Sequence, residues 1–576
     1  MKNIEYVQDA FDAFNGGDPV RALSLVKRLN KNKLKQTFTS LEFEGALSYL
    51  LGKYKKACDV YVVALRLAET DFQKITAYER LGKSYLALGM DQDAKDSFEK
   101  GIQIDACIDN VESVFCLSQL CLGGVQLDRA KELALQLLQF EAYFVKAQVI
   151  IIKCADLKKD TLAAEQSLSA VIDFFLVKDH LTQEDGVDVS NFLPHLINSE
   201  KLVEAEKLIL KAELLLGACQ GLDAYKALIE AKAHPDASPV EYIPNSLLKN
   251  INLIPSIKLD LYFARAKLFD RQGDYDSAWA DFTSLGLLKK ATLSDNRYVD
   301  MVKTYQKANV ATLSADKGYS PGYKPVFLVG FPRSGTTLLD TILDTQETIR
   351  TLSETESLAQ VVKSFVYDLK LRYPSDLESI SIDELNCLRG VYARHVNCLI
   401  GDVEESDLVV DKMPLNMIHI PLIISLFPTA KFLFCLRHPL DVCLSSFQQH
   451  FSDSPEMNRL LTIDKCFERY KQVFDLFSVF QERFDFQMYT VRYENLVSHY
   501  DEEVMAIFDF LKIEATDAYK SFHLHAKNLR IATPSANQVR QPIYQSSKEK
   551  WKHYGKYLKP YVPLVQAYID QFGYEA

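Results

Sequence analysis

The eight residues Gly330-Phe-Pro-Arg-Ser-Gly-Thr-Thr337 have the types and spacing to hold an anion. Glycines let the backbone approach a phosphate or sulfate closely, and the N–H groups of a helix's first turn, aligned with the peptide dipoles, point at it. A nucleoside-triphosphate loop reads G-x-x-x-x-G-K-[ST], with Lys on the β/γ-phosphates and the hydroxyl on magnesium. Gly330 and Gly335 keep that spacing, but Thr336 stands where the Lys would be and the cation comes earlier, as Arg333. The loop can hold phosphates yet lacks the group that manages a transferring γ-phosphoryl. A second candidate loop is Arg437-His-Pro-Leu-Asp-Val-Cys-Leu-Ser445, after the apolar run Ala430–Leu436. Arginine offers paired, permanently charged donors to phosphate oxygens, and Pro439 suits a first helical turn.

These loops need rigid supports. The apolar run Val326–Val329 precedes the first loop and the amphipathic run Leu338–Leu343 follows it, which predicts strand, turn and helix. From Lys324 onward the strands Val326–Val329, Leu408–Asp411, Phe432–Leu436 and Met488–Arg492 are expected, separated by helical runs such as Leu415–Leu426 and Asp441–Phe451. Apolar strands alternating with helices imply an α/β fold with a parallel sheet covered on both faces. Both anion loops then fall at strand C-terminal ends, where such folds bind ligands.

The first half has a different organisation. Alanines at 22, 57, 94, 130, 164 and 205 each sit in a short amphipathic helical segment, with separations of 35, 37, 36, 34 and 41 residues. That approximates the 34-residue period of tetratricopeptide repeats. The clearest copy places Tyr78, Leu81, Gly82, Tyr85, Ala94 and Phe98 so that small residues let two helices approach while bulky ones fill the gaps. Another copy, Leu268 to Trp279, follows after a degenerate unit marked by Pro235, Pro239, Pro244 and Pro255. Stacked repeats form a solenoid whose concave face commonly binds peptides or proteins; the sequence leaves open whether these units dock a partner or only brace the second domain. The expected organisation is a helical repeat domain over 1–310, a connector over 311–324 and an α/β domain over 325–576.

Composition sets outer bounds. At 576 residues, with 48% hydrophobic and 25% charged residues, the chain is ordinary for a globular protein of more than one domain. A formal charge of −11 argues against a general nucleic-acid coat. The start has no signal-peptide pattern and no apolar run approaches a membrane span, so a cytoplasmic location is expected. The eleven cysteines are scattered without metal-ligand spacing and read as small apolar core residues; no metal is expected.

With both loops considered together, Pro325–Gln346 resembles the 5′-phosphosulfate loop of sulfotransferases, enzymes that use 3′-phosphoadenylyl sulfate (PAPS) as sulfuryl donor and release the desulfated nucleotide, PAP. The chain as a whole is similar to bacterial sulfotransferases with N-terminal tetratricopeptide repeats, which are related to tyrosylprotein sulfotransferases. The resemblance implies an all-α repeat solenoid followed by an α/β P-loop-like sulfotransferase domain. It implies that Arg333, Ser334, Gly335, Thr336 and Thr337 hold the 5′ end of the donor, and that Arg437 and Ser445 grip its 3′-phosphate. Glu354, in Thr351-Leu-Ser-Glu-Thr-Glu356 and 21 residues after Arg333, matches the family's general base. The family usually has Gly before that Glu, where this chain has Ser353, and Glu356 is the alternative carboxylate. Lys412 matches a Lys at the bridging oxygen of the leaving group. Thr533-Pro-Ser-Ala-Asn-Gln-Val539 resembles a late loop over the nucleotide, in which Ser535 matches a Ser that holds transition-state charge. Lys550, before Trp551, is the candidate for a further 3′-phosphate contact. Tyr493, in Val491-Arg-Tyr-Glu-Asn-Leu496, matches a Tyr near the adenine, and an ordinary core role is the alternative.

Sulfuryl transfer needs a base for the acceptor hydroxyl, a cation at the departing oxygen and donors for the charge in transit. Protein tyrosine is the acceptor implied by the resemblance, with a saccharide or small hydroxyl metabolite as the alternative. Two other classes are weaker. A nucleotide kinase would want Lys where Thr336 stands, and a repeat-based scaffold leaves the ordered series Arg333, Glu354, Lys412, Arg437, Ser445 and Ser535 without a use.

Overall fold

The computed structural model describes residues 2–31, 36–104, 110–124, 126–217, 221–289, 297–307, 319–401, 403–451, 454–529, 531 and 535–575. Residues 311–318 of the expected connector, and Thr533 and Pro534 of the late loop, lie outside them. The chain forms two compact units, one of Met1–Ala155 with Leu162–Val171, the other of Asp156–Thr161 with Ile172–Ala576.

The first unit is an array of antiparallel helix pairs, beginning Lys2–Asn15 with Pro19–Asn30, Phe38–Leu50 with Tyr54–Arg66 and Asp71–Ala87 with Asp91–Ile104. The turns within pairs follow from glycine: Gly17 and Gly89 stand at φ 83° and 71°, which side-chain-bearing residues rarely adopt. Ala22, Ala57, Ala94, Ala130 and Ala164 are wholly buried, as their period predicts. At Gly82 a Cβ would lie 2.6 Å from the Phe98 ring, and at Gly45 it would meet Tyr61 equally closely. The small residue and the aromatic opposite it therefore set the helix spacing.

The second unit continues with helix pairs and ends in the α/β domain. Among its pairs are Gln183–Asn198 with Leu202–Leu216 and the hairpin of α1 (Pro255–Arg271) and α2 (Tyr275–Leu288). Pro255 occupies the first turn of α1, where a missing N–H costs nothing. A buried bidentate pair joins the hairpin's helices: Arg265 Nε and Nη2 donate to the two Asp281 oxygens at 2.7 Å each.

Five parallel strands, β1 (Lys324–Gly330), β2 (Ile349–Ser353), β3 (Leu408–Lys412), β4 (Lys431–Leu436) and β5 (Gln487–Arg492), form one sheet in the order β2-β3-β1-β4-β5. Four were expected; β2 was not, because Ile349-Arg-Thr-Leu-Ser353 is short and has no long apolar run. Alternate residues serve opposite faces. Val326, Leu328, Leu433 and Cys435 join one core with Leu339, Ile342 and Ile507, whereas Phe327 and Phe432 stack on the other side with Phe427 nearby. Phe434 packs there against Phe474 and Phe477 of the long helix Ile463–Arg483. Helix α3 (Thr336–Leu343) follows β1, and α4 (Pro439–Phe447) follows β4. The expected helix over 441–451 is corrected at its end: α4 stops at Phe447, with Gln448 as its C-cap. The run 415–426 also divides, into a 3₁₀ segment Pro414–His419 and an α-helix Ile420–Leu426 with Pro421 in its first turn. Among the described residues no helix is long and apolar enough to cross a membrane, and the described cysteines are free, most of them buried.

The α1–α2 hairpin is fastened to the α/β domain. Trp279 stacks on Tyr557 at 4.5 Å and packs against Phe447 at 4.7 Å, and Lys289 Nζ donates to the Phe451 carbonyl at 2.7 Å. At Gly286 the fit admits no side chain, since a Cβ would lie 2.0 Å from the Leu461 carbonyl oxygen. In an exposed helix Gly→Ala stabilises by up to about 1 kcal/mol. Here the sign reverses: Gly286→Ala is expected to lower the unfolding free energy by about 2 kcal/mol, the usual scale of overpacking, as read from urea denaturation.

Candidate active site

Each strand of the sheet delivers a candidate residue at its C-terminal end. Glu354 follows β2, Lys412 closes β3, the loop 331–335 follows β1, Arg437 follows β4 and Tyr493 follows β5. Across the sheet the order of candidates is therefore Glu354, Lys412, the anion loop, Arg437 and Tyr493.

The two anion loops are tied together. Ser446 Oγ donates to the Pro332 carbonyl at 3.2 Å, and Arg437 Nη1 donates to the Arg333 carbonyl at 3.1 Å. Arg333 is thereby held at φ 73°, an unfavourable region for a residue with Cβ. Its guanidinium spans three partners, donating from Nε to Ser445 Oγ at 3.3 Å, from Nη1 to Ser535 Oγ, and from Nη2 to Gln538 Oε1 at 2.9 Å. Arg333, Ser445 and Ser535, far apart in sequence, thus meet at one guanidinium. Burial and the neighbouring Arg437 push the Arg333 pKa down to about 10, with Glu354 opposing them.

Arg437 is buried with its guanidinium 4.6 Å from the Tyr493 ring centroid, and Nη2 donates to the Ser547 carbonyl at 2.6 Å. Tyr493 also defines the first loop, because a Cβ at Gly335 would lie 2.8 Å from its Cδ2. Asp441, in the first turn of α4, accepts from the Glu549 and Trp551 amides at 2.8 and 2.9 Å. Trp551 stacks on His438 with centroids 5.1 Å apart. The C-terminal segment is therefore clamped over the second loop. Lys550, within that segment, is ion-paired to Asp270 of α1 at 2.5 Å.

At the other end of the row, Lys412 Nζ donates to Glu354 Oε1 at 2.9 Å; the lysine side chain is fully buried and the glutamate is 34% exposed. The Glu354 amide also donates to the Lys412 carbonyl at 2.7 Å, carrying the β2–β3 ladder one residue further and fixing Glu354 at φ 53°. Glu356 is exposed and caps the next helix without a side-chain bond. Beneath the pair lie two buried carboxyls that the sequence reading missed. Asp340 of α3 accepts from Ser353 Oγ at 2.5 Å, and burial raises its pKa against the pull of Lys412. Asp411 accepts from Tyr392 Oη at 2.9 Å, and burial pushes its pKa up to about 7. Asp340 looked like one polar residue of an amphipathic helix and Asp411 like the polar end of a strand.

The arrangement fits a nucleotide donor with phosphate at both ends. Among the described residues Ser334 Oγ and Arg437 Nε are buried without a hydrogen-bond partner, and Ser334, Thr336 and Thr337 are buried around the loop. Buried polar groups are normally satisfied, and an oxygen-rich ligand at the loop would satisfy these two.

The sulfotransferase family model matches residues 325–517, and a tetratricopeptide-repeat model matches residues 75–106. This is a sulfotransferase-family domain. The sulfotransferase domain follows a helical repeat region, so the expected fold class holds. An uncharacterised protein of Aquifex aeolicus is 25% identical over 53% of this chain and 41% of its own. The protein-tyrosine sulfotransferase of Drosophila melanogaster is 25% identical over 39% of this chain and 46% of its own. The chain spans less than half the length of these curated relatives. A solved sulfotransferase from Mycobacterium avium, 15% identical, aligns over 55% of this chain and 97% of its own with a TM-score of 0.30.

The carboxyls below the site set a pH dependence. Asp411 has a folded pKa above the ordinary value near 4, so its ionisation opposes folding as pH rises from about 4 to 7. Asp411→Asn removes that loss. Relative to the parent, the variant is expected to gain about 1–3 kcal/mol between pH 5 and pH 8, measured by urea unfolding at both values.

Proposed function

We propose that the protein transfers a sulfuryl group from PAPS to an acceptor hydroxyl, and that the acceptor is a protein tyrosine. The observation that carries this reading is the Lys412–Glu354 ion pair in one row with the Arg333–Ser445–Ser535 constellation and the Arg437 pocket. The sulfotransferase family of residues 325–517 supports the donor. The relative named as a protein-tyrosine sulfotransferase supports the acceptor, as does a repeat region of a kind that commonly binds peptides.

PAPS supplies an activated sulfuryl group on a phosphate that departs readily. In this reading the loop 333–337 holds the 5′ end, Arg437, Ser445 and Lys550 hold the 3′-phosphate, and Tyr493 backs the base. Glu354 keeps Oε1 on Lys412 and takes the acceptor proton on its other oxygen as the hydroxyl oxygen forms its bond to sulfur. Lys412 meets the charge that develops on the bridging oxygen as its bond to sulfur breaks. Arg333 and Ser535, already bonded to each other, hold the charge of the group in transit; such fixed donors need no rearrangement during reaction. Glu354 is favoured over Glu356 because it has the cation partner and the strand-end position.

Incubating lysate proteins and metabolites with enzyme and labelled PAPS is expected to yield sulfotyrosine peptides by mass spectrometry. Label only in saccharides or small metabolites would move the acceptor class and leave the reaction standing. Glu354→Gln is expected to reduce turnover about 100- to 10,000-fold with PAP affinity nearly unchanged, whereas Glu356→Gln is mild. Lys412→Met should also depress turnover. PAP is expected to raise the melting temperature more than ATP with magnesium does; a larger shift with ATP would favour a kinase instead.

A further inference from the structure

Lys267 of α1 has a placement that the repeat packing does not explain. Its ammonium lies 5.4 Å from the Phe263 ring centroid and 5.5 Å from that of Phe282, and it has no ion-pair or hydrogen-bond partner among the described residues. Three residues on, and so on the same helix face, Asp270 accepts the Lys550 ion pair at 2.5 Å and a hydrogen bond from Tyr554 Oη at 2.6 Å. That face of α1 is therefore turned toward the C-terminal segment that Asp441 clamps over the Arg437 loop. Burial, then the positive charge of Lys550, pushes the Lys267 pKa down to about 7; Asp270 opposes this shift and Arg333 adds to it.

A half-buried ammonium on the helix face that carries the Asp270–Lys550 pair, with that carboxylate already committed to Lys550, is costly as architecture. An apolar side chain between Phe263 and Phe282 would fill the same space without that cost. Arg437, 3.9 Å from the Asp441 that clamps the C-terminal segment, has its Nε buried without a hydrogen-bond partner among the described residues. A phosphomonoester carries up to two negative charges and three acceptor oxygens, which calls for several cations approaching from different sides.

We infer that Lys267 is a ligand of the donor's 3′-phosphate, supplied by the helical hairpin rather than by the α/β domain, and that it completes the pocket formed by Arg437, Ser445 and Lys550. The inference rests on the nucleotide reading proposed above and adds a residue that neither loop motif contains. Asp270 positions Lys550, and Lys267 closes the side that Lys550 leaves open.

The test compares full-length parent and variants by calorimetric titration with PAP and with 5′-AMP, which lacks the 3′-phosphate. Lys267→Met is expected to weaken PAP binding about 10-fold or more and to leave 5′-AMP binding within about twofold, while melting no lower than the parent. Lys267→Arg should keep most of the preference for PAP. If Lys267→Met failed to fold, Lys267→Gln would serve as the neutral variant, with the same expectation. Arg437→Ala is the control. A parent that prefers PAP, an Arg437→Ala variant that loses the preference and a Lys267 variant that keeps it would overturn this inference alone. A parent with no preference for PAP over 5′-AMP would overturn the nucleotide reading and the inference with it. A Lys267 variant with unchanged PAP affinity but a raised KM for the acceptor would also overturn it, assigning the lysine to the acceptor instead.

Discussion

The register of the parallel ladder is the constraint on which the site depends. Lys412 pairs with Leu328 on one side and Ser353 on the other, and Leu436 pairs with Arg492. The strands thus finish close to one level, and the residues that follow them stand in a row. Because side chains alternate between faces, a slip of one residue at β3 would exchange Lys412 with Asp411, putting a carboxyl beside Glu354 and the lysine in the core. The apolar faces of β1 and β4 prevent that slip, since Phe327 and Phe432 belong to one core and Leu328 and Leu433 to the other. Hydrophobic burial, which has no directional chemistry of its own, fixes the position of the charged groups.

The protein holds these charges at some expense to its stability. Arg333 and Arg437 share a loop bond, the first losing basicity to burial and then to the second, and Asp340 and Asp411 are buried where they resist ionisation. Local violations of packing and pairing rules are expected at functional sites and are compensated elsewhere. Here the compensation includes the clamp of Asp441 on the Glu549 and Trp551 amides and the aromatic contacts of Trp279 with Tyr557 and Phe447.

The sequence carried the strands with long apolar runs, both anion loops and the alanine period of the helices, because each is written in local residue type. It did not carry β2, whose five residues alternate too briefly to stand out from a loop. The end of α4 was also illegible: Ser446 to Phe451 reads as continuous helix, but the helix stops at Phe447, which packs on Trp279, and the Phe451 carbonyl accepts from Lys289 instead. The partners of the candidate residues were beyond local reading as well. Nothing near Lys550 in sequence points to Asp270, 280 residues away, and Asp340 has the spacing of any polar residue on an amphipathic helix. Spacing nominated candidate residues, and only the fold shows which of them share a hydrogen bond or a charge.

Arg333 and Glu354 both stand at positive φ, Arg333 accepting from Arg437 and Glu354 donating its amide to the Lys412 carbonyl. For a residue with a Cβ that conformation costs roughly 1 kcal/mol relative to glycine. A laboratory population of variants selected only for heat resistance would therefore be drawn toward glycine at these two positions and would lose a guanidinium and a carboxylate in becoming more robust. If these two residues carry the roles proposed for them, robustness and chemistry are in conflict at two backbone torsions, and screens that score folding alone would select against the activity.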